Sequence, residues 1–260
     1  MWKIKEEDLD QFRVTCKSRL SPEGALGFMI GTIVYVSVMM FFLIGTLVTF
    51  GWDYYTTFFE KTIVRMELVL YSLQIIFLIL YSFPKARFKF QKLQTIVVLL
   101  YAFQLGTILF TALILPGMSD YTIDGITLVY VGFLFIGAVI IHIVTTIDTF
   151  KQASEGAYSM NERSASFFSK IKETMMKGAL IYVLILLILI YFHNDYAFDT
   201  FIGYVIGTVL LYTVAVGSAE FQLLVYCRFK FKSFNMTWEE NERMRGRTRK
   251  PNQKFKKKSK

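Results

Sequence analysis

Six apolar runs, each long enough to cross about 30 Å of hydrocarbon, restrict this 260-residue chain more than any motif in it. They cover roughly 25–50, 63–83, 94–115, 126–148, 177–193 and 200–226. The third, TIVVLLYAFQLGTILFTALIL, and the fifth, GALIYVLILLILIYF, contain no charge. One such run is compatible with the buried helix of a soluble protein. Six in succession, joined by short connections, read as an all-α, polytopic membrane protein: a six-transmembrane-helix bundle with short loops. Only 19% of the residues are charged, against about 25% in soluble domains, and the mean hydropathy is +0.45.

Lysine and arginine beside the runs predict the orientation. Of 29 such residues, 27 fall in the N-terminal segment, the second and fourth connections and the tail. The other side receives Lys61 and Arg65, while its loops carry Asp53, Glu60, Asp120, Asp124, Asp195 and Asp199. Both termini are therefore expected in the cytoplasm. Trp52, Tyr54, Tyr55, Tyr191 and Tyr196 stand where aromatic belts belong. The usage of Lys, Ile and Phe with short loops suggests a bacterial plasma membrane.

Three parts follow: an N-terminal segment, 1–24; the six-helix domain, 25–227; and a basic tail, 228–260. In the first part Leu9, Phe12, Cys16 and Leu20 recur at helical spacing among charges, which predicts a short amphipathic helix lying on the inner membrane surface. Ser21 and Pro22 read as the N-cap and first residue of the first span. That span is longer than the apolar core of a signal peptide, so cleavage is not expected. Cys16 and Cys227 share the cytoplasmic side, where no disulfide is expected. Pro22, Pro84, Pro116 and Pro251 sit at span boundaries or in the tail, so no span is expected to be broken.

Polar residues inside the runs are the candidates for function. Gln74 and Gln104 are placed at similar depth on neighbouring helices, as an interhelical hydrogen bond or a pore-lining pair. Glu67 enters the second span with Arg65 and is expected to pair with it or with Lys61. His142, Thr145, Thr146 and Thr149 form a stripe on the fourth span; Asp148 ends it, and Glu220 lies near the inner end of the sixth. A cytoplasm-facing pocket is the sharper reading, with Glu220 accepting a cation or proton and His142 as its titratable partner. Interfacial carboxylates and a packed histidine are the plainer one.

The string Arg-Phe-Lys-Phe occurs at 87–90 and 228–231. Its Arg87, Lys89, Arg228 and Lys230 are expected to meet anionic headgroups. Gly27-x-x-x-Gly31 and Gly203-x-x-x-Gly207, in the alike strings GFMIGT and GYVIGT, read as packing motifs, as does the [IL]-Gly-Thr triplet that recurs at 44–46 and 105–107. The tail after Cys227 carries thirteen basic and three acidic residues; its end, 243–260, lacks apolar periodicity and is expected to be disordered when free. Anionic lipid is its expected partner, with a cytoplasmic or membrane protein as a further one. Nucleic acid is not expected, because no folded reader module accompanies the charge.

No HExxH, GxSxG, CxxC, P-loop or dinucleotide fingerprint is present, and two histidines leave little for a metal site. No cofactor and no metal is expected. The leading reading is a membrane subunit of a transport or secretion system. The alternative is a non-transporting interaction protein such as a toxin-immunity or regulatory factor, and an intramembrane enzyme stands third.

Overall fold

The computed structural model describes residues 3–119, 123–159, 170–193 and 198–248, and among them the chain is helical with no strand. Asp120, Arg163, Asp195, Tyr196 and the end of the tail, 249–260, lie outside the described residues. The helices are α1 (Asp10–Lys17), α2 (Pro22–Phe50), α3 (Phe58–Ser82), α4 (Pro84–Lys89), α5 (Gln91–Ser119), α6 (Gly125–Ser154), α7 (Lys170–His193), α8 (Phe198–Lys230) and α9 (Trp238–Thr248). Six of them, α2, α3, α5, α6, α7 and α8, are long and apolar enough to cross a membrane.

Local chemistry sets the boundaries. Ser21 caps α2 by accepting from the Gly24 N–H at 3.2 Å, and Pro22 occupies the first turn. Glycine is required at position 24, where a Cβ would lie 2.2 Å from the Arg19 carbonyl oxygen. α3 starts five residues before its apolar run because Thr57 and Glu60 form a reciprocal capping box, at 3.1 and 2.8 Å. Asp124 caps α6 and also meets His193 at the end of α7, at 2.6 Å. Pro116, placed at a boundary by the sequence, lies inside the last turn of α5.

The six long helices form two three-helix units, α2–α3–α5 and α6–α7–α8. In each unit the first helix packs most extensively on the third, and the third helices, α5 and α8, form the largest interface of all. That interface is antiparallel and reciprocal. Gly106 of α5 faces Leu211 and Val214 of α8, while Gly207 of α8 faces Phe110 and Leu109 of α5. The strings around these glycines align with Gly, Thr and Leu in common, Ala102-Phe-Gln-Leu-Gly-Thr-Ile-Leu-Phe110 with Gly203-Tyr-Val-Ile-Gly-Thr-Val-Leu-Leu211, and differ in character at Gln104 against Val205. Glycine lets the two backbones approach at their crossing. By contrast, Gly27 and Gly31 on α2 face open space, and among the described residues the first small-residue motif makes no packing contact.

The outer faces are apolar. Val48, Phe58 and Phe192 are each exposed over about four-fifths of their surface, in company with Phe41, Phe42 and Leu180. Such a continuous face is not a water surface. One end of the bundle, hereafter the basic end, is instead capped by protein. The apolar face of α1 does not lie free for a lipid surface: Leu9, Phe12, Cys16 and Leu20 are buried against Ala153, Leu223, Leu224 and Phe234. The start of the tail folds back as well. Trp238 meets Phe88 edge-on at 5.5 Å, and Gln91 brackets Met236 by donating to its carbonyl at 3.0 Å and accepting from its N–H at 3.1 Å.

Candidate functional site

α6 and α8 meet at His142. Its Nδ1 lies 3.0 Å from the Ala215 carbonyl oxygen and 2.9 Å from the Ser218 hydroxyl. Its Nε2 lies 3.0 Å from the Gln222 side-chain nitrogen, and Thr146 donates to the Gln222 carbonyl oxygen at 3.0 Å. Phe103 of α5 covers the ring edge-on at 5.5 Å. A carbonyl only accepts, so the set closes with the proton on Nδ1 and Nε2 accepting from Gln222. Thr145 donates to the carbonyl of Ile141 at 2.7 Å, within its own helix.

Glu220 is not among His142's hydrogen-bond partners. Its carboxylate accepts from Arg19 at 2.5 Å, at the basic end. Asp148 accepts from Gln152 one turn on, at 2.7 Å. The five residues of the expected pocket are thus divided between a seam in the bundle (His142, Thr145, Thr146) and its capped end (Asp148, Glu220). A helix turn explains the split: Ser218 and Gln222 flank Glu220 in sequence but project to the α6 side. Sequence reasoning missed both, although their spacing of four residues complements the stripe on α6.

Gln74 and Gln104 face each other across α3 and α5 and line one small void, yet they do not share a hydrogen bond. Gln104 donates to Glu67 at 2.7 Å, and Thr111 donates to the other Glu67 oxygen at 3.2 Å. Among the described residues the Gln74 side-chain amide has no hydrogen-bond partner, though Tyr101 donates to its backbone carbonyl. Glu67 therefore pairs with neither Arg65 nor Lys61 there. Arg65 stacks over Trp52 at 5.2 Å instead.

Two of the four residues expected at headgroups are buried within the protein. Arg228 is buried and donates to the carbonyls of Leu20 at 3.0 Å and Gln91 at 3.1 Å, and to the Thr95 hydroxyl at 2.5 Å. Arg87 is buried too, donating to the Tyr81 and Ser82 carbonyls at 2.9 and 3.3 Å, with Glu23 at 4.0 Å. Connections and helix C-termini, such as Leu20 and the Tyr81–Ser82 end of α3, leave carbonyls without helical partners, and a guanidinium with five donors satisfies several at once. Lys89 and Lys230 remain exposed; Lys230 also donates to the Ile4 carbonyl at 3.2 Å.

A lateral crevice of about 780 Å³ lies between α7 and α8. Leu180, Val183, Val209, Val216 and Gly217 line it, with Glu173 and Lys177 at one end. It exists because α7 leans on α6 and touches α8 little. Tyr182 and Tyr212 reach across to the Phe133 and Leu134 carbonyls at 2.7 and 3.1 Å, over Gly137. The region in the other unit that corresponds to it by the Gly106/Gly207 match, α3 against residues 107–116 of α5, is closed at Glu67 and Thr111. No family model, curated protein or solved structure matches this chain.

Proposed function

We propose that this chain is a multi-pass plasma-membrane protein of bacterial type, with both termini in the cytoplasm, and that it serves as a transport subunit. What supports the orientation is the division of charge: 27 of 29 Lys and Arg fall in segments of the basic end. What supports transport is the inequality of two equivalent seams. Three helices per unit make the second unit run opposite to the first, so the units form an inverted pair about the Gly106/Gly207 crossing. Inverted pairs are a common architecture of secondary transporters, in which one unit rocks against the other. Here the α7/α8 seam is open sideways in the half nearer the basic end, and the α3/α5 seam is held shut by Glu67, Gln104 and Thr111. Glu67 is the latch in this reading, and the His142 seam is the hinge core that keeps α8 on α6.

Spin labels on exposed residues test it in the reconstituted protein. One pair, Val69 with Val209, reports α3 against α8; the other, Leu100 with Leu180, reports α5 against α7. Glu67→Ala should lengthen the first distance and shorten the second together. If the first changes alone, or neither changes, the transport reading fails. The alternative, a non-transporting interaction protein, draws on the bare Gly27/Gly31 face of α2 and would show a rigid bundle in both pairs.

A further inference from the structure

The α7/α8 crevice has the length of a lipid chain in one leaflet. It follows α7 from Glu173 to Val183, about 15 Å at 1.5 Å per residue, which is half of a hydrocarbon core of about 30 Å. Its inner end lies at the level where Tyr182 and Tyr212 cross Gly137, twelve residues into α6 and so about 18 Å along it. Its outer end lies in the first turns of α7, on the basic side. The walls there are aliphatic, and Thr208 and Thr213 add small polar patches to the α8 face, the Thr208 hydroxyl bonding back to the Tyr204 carbonyl at 2.7 Å.

The charged groups of the crevice sit at that outer end. Lys177 donates to Glu173 at 2.8 Å, and both side chains are largely exposed. The pair offers one cation and one anion a few ångströms apart, at the depth where a leaflet's headgroups begin. Its complement is a headgroup carrying a phosphate and an amine: the phosphate toward Lys177, the ammonium toward Glu173. An anionic lipid without the amine would leave Glu173 facing a like charge.

We infer that the α7/α8 crevice binds one acyl chain of an amine-bearing zwitterionic phospholipid from the leaflet at the basic end, with its headgroup on Lys177 and Glu173. Water does not fill an aliphatic crevice that opens sideways into hydrocarbon, so a chain from the adjoining leaflet is the available occupant. Under the transport reading this lipid, or a molecule with the same head-and-tail chemistry, is the substrate class. The binding itself rests only on membrane insertion.

Two glycines make a matched test. Gly217 lines the crevice, and a Cβ there meets nothing within 4 Å, so Gly217→Phe fills the space without a backbone clash. Gly178 has equal room on the exposed side of α7, outside the lining, and Gly178→Phe is the control. Full-length protein is stripped of lipid in detergent, offered equal phosphatidylethanolamine and phosphatidylglycerol, and read by native mass spectrometry. Wild type and Gly178→Phe should retain one phosphatidylethanolamine. Gly217→Phe should retain about tenfold less, the effect of displacing two buried methylenes. Lys177→Gln with Glu173→Gln should erase the headgroup preference while leaving a lipid bound. Retention by Gly217→Phe equal to wild type, a lipid-free wild type, or a preference for phosphatidylglycerol overturns the assignment. The readout needs no movement of the units, so it fails separately from the spin-label experiment.

Discussion

Arg19 donates to the carboxylate of Glu220 at 2.5 Å across 201 residues of chain, and by that bond the N-terminal segment is tied to the last third of α8. Arg19 is 63% exposed and Glu220 only 11%, so the pair is half in solvent and contributes under about 1 kcal/mol. Its role is positional, holding α1, with Cys16 on its buried face, over Cys227. Burial pushes the Cys16 thiol well above the usual cysteine range, and the nearby Glu220 charge adds to this. Glu220→Gln should therefore raise the rate of Cys16 modification by a thiol reagent, measured with Cys227→Ala in the purified protein. An unchanged rate would mean that the apolar contacts of Leu9 and Phe12 hold α1 alone.

Arg228 carries a heavier structural load than its neighbour Lys230. It joins three segments through Leu20, Gln91 and Thr95, all from a buried position. Arg228→Ala should cost about 3 kcal/mol, since charge-assisted bonds are lost and carbonyls are left unpaired. Arg228→Lys should recover little of it, because one ammonium cannot span the three acceptors. Lys230→Ala should change stability by under about 0.5 kcal/mol. Thermal unfolding in detergent distinguishes these outcomes.

Gly137 is required by its neighbours. A Cβ at that position would lie 2.4 Å from the Tyr212 hydroxyl and 2.6 Å from the Tyr182 ring, both fixed by hydrogen bonds to α6 carbonyls. Gly137→Ala should cost about 1–3 kcal/mol by overpacking. Gly132→Ala, one and a half turns away in open space, should be neutral or stabilising by up to about 1 kcal/mol. Gly137→Ala should lower the melting temperature and Gly132→Ala should not, or the packing argument fails.

Asp124 predicts a dependence on acid. The Thr127 backbone N–H, helped by the Thr127 and His193 side chains, holds its carboxyl below the ordinary value of 3.8. A depressed carboxylate favours the folded state fully above 3.8, and that contribution is lost as pH falls through the lower folded value. Asp124→Asn keeps an acceptor for the cap without the charge. Wild type should be the more stable at pH 6, and the difference should vanish well below pH 4 (about the ordinary carboxylate value). A difference that persists in strong acid would assign the effect to shape instead of charge.

Orientation is testable on cells. In a background without the two native cysteines, Asp53→Cys should react with an impermeant thiol reagent on intact cells, and Lys89→Cys and Lys151→Cys should not. The reverse pattern would invert the topology argued from charge.

Six helices, their approximate ends and the gathering of basic residues were legible from the chain itself, because apolar length and capping residues act locally. Ser21 with Pro22 marked the start of α2 for that reason. Thr57 and Glu60 carried the same kind of signal for α3, which a hydropathy ruler passes over. Partners were not legible. Every long helix here is apolar nearly all round, so periodicity does not say which face turns inward, and one residue of rotation moves a side chain by about 100°. That is why Glu220 went to Arg19 while Ser218 and Gln222 went to His142, why Gln104 chose Glu67 over Gln74, and why two arginines beside the spans turned into the bundle. The match of Leu105-Gly106-Thr107 with Ile206-Gly207-Thr208 was visible as a string, but only the antiparallel crossing of α5 and α8 gave it meaning. Sequence determined the elements; the tertiary structure decided which polar groups share a site, because that depends on helix rotation and docking that no local signal encodes.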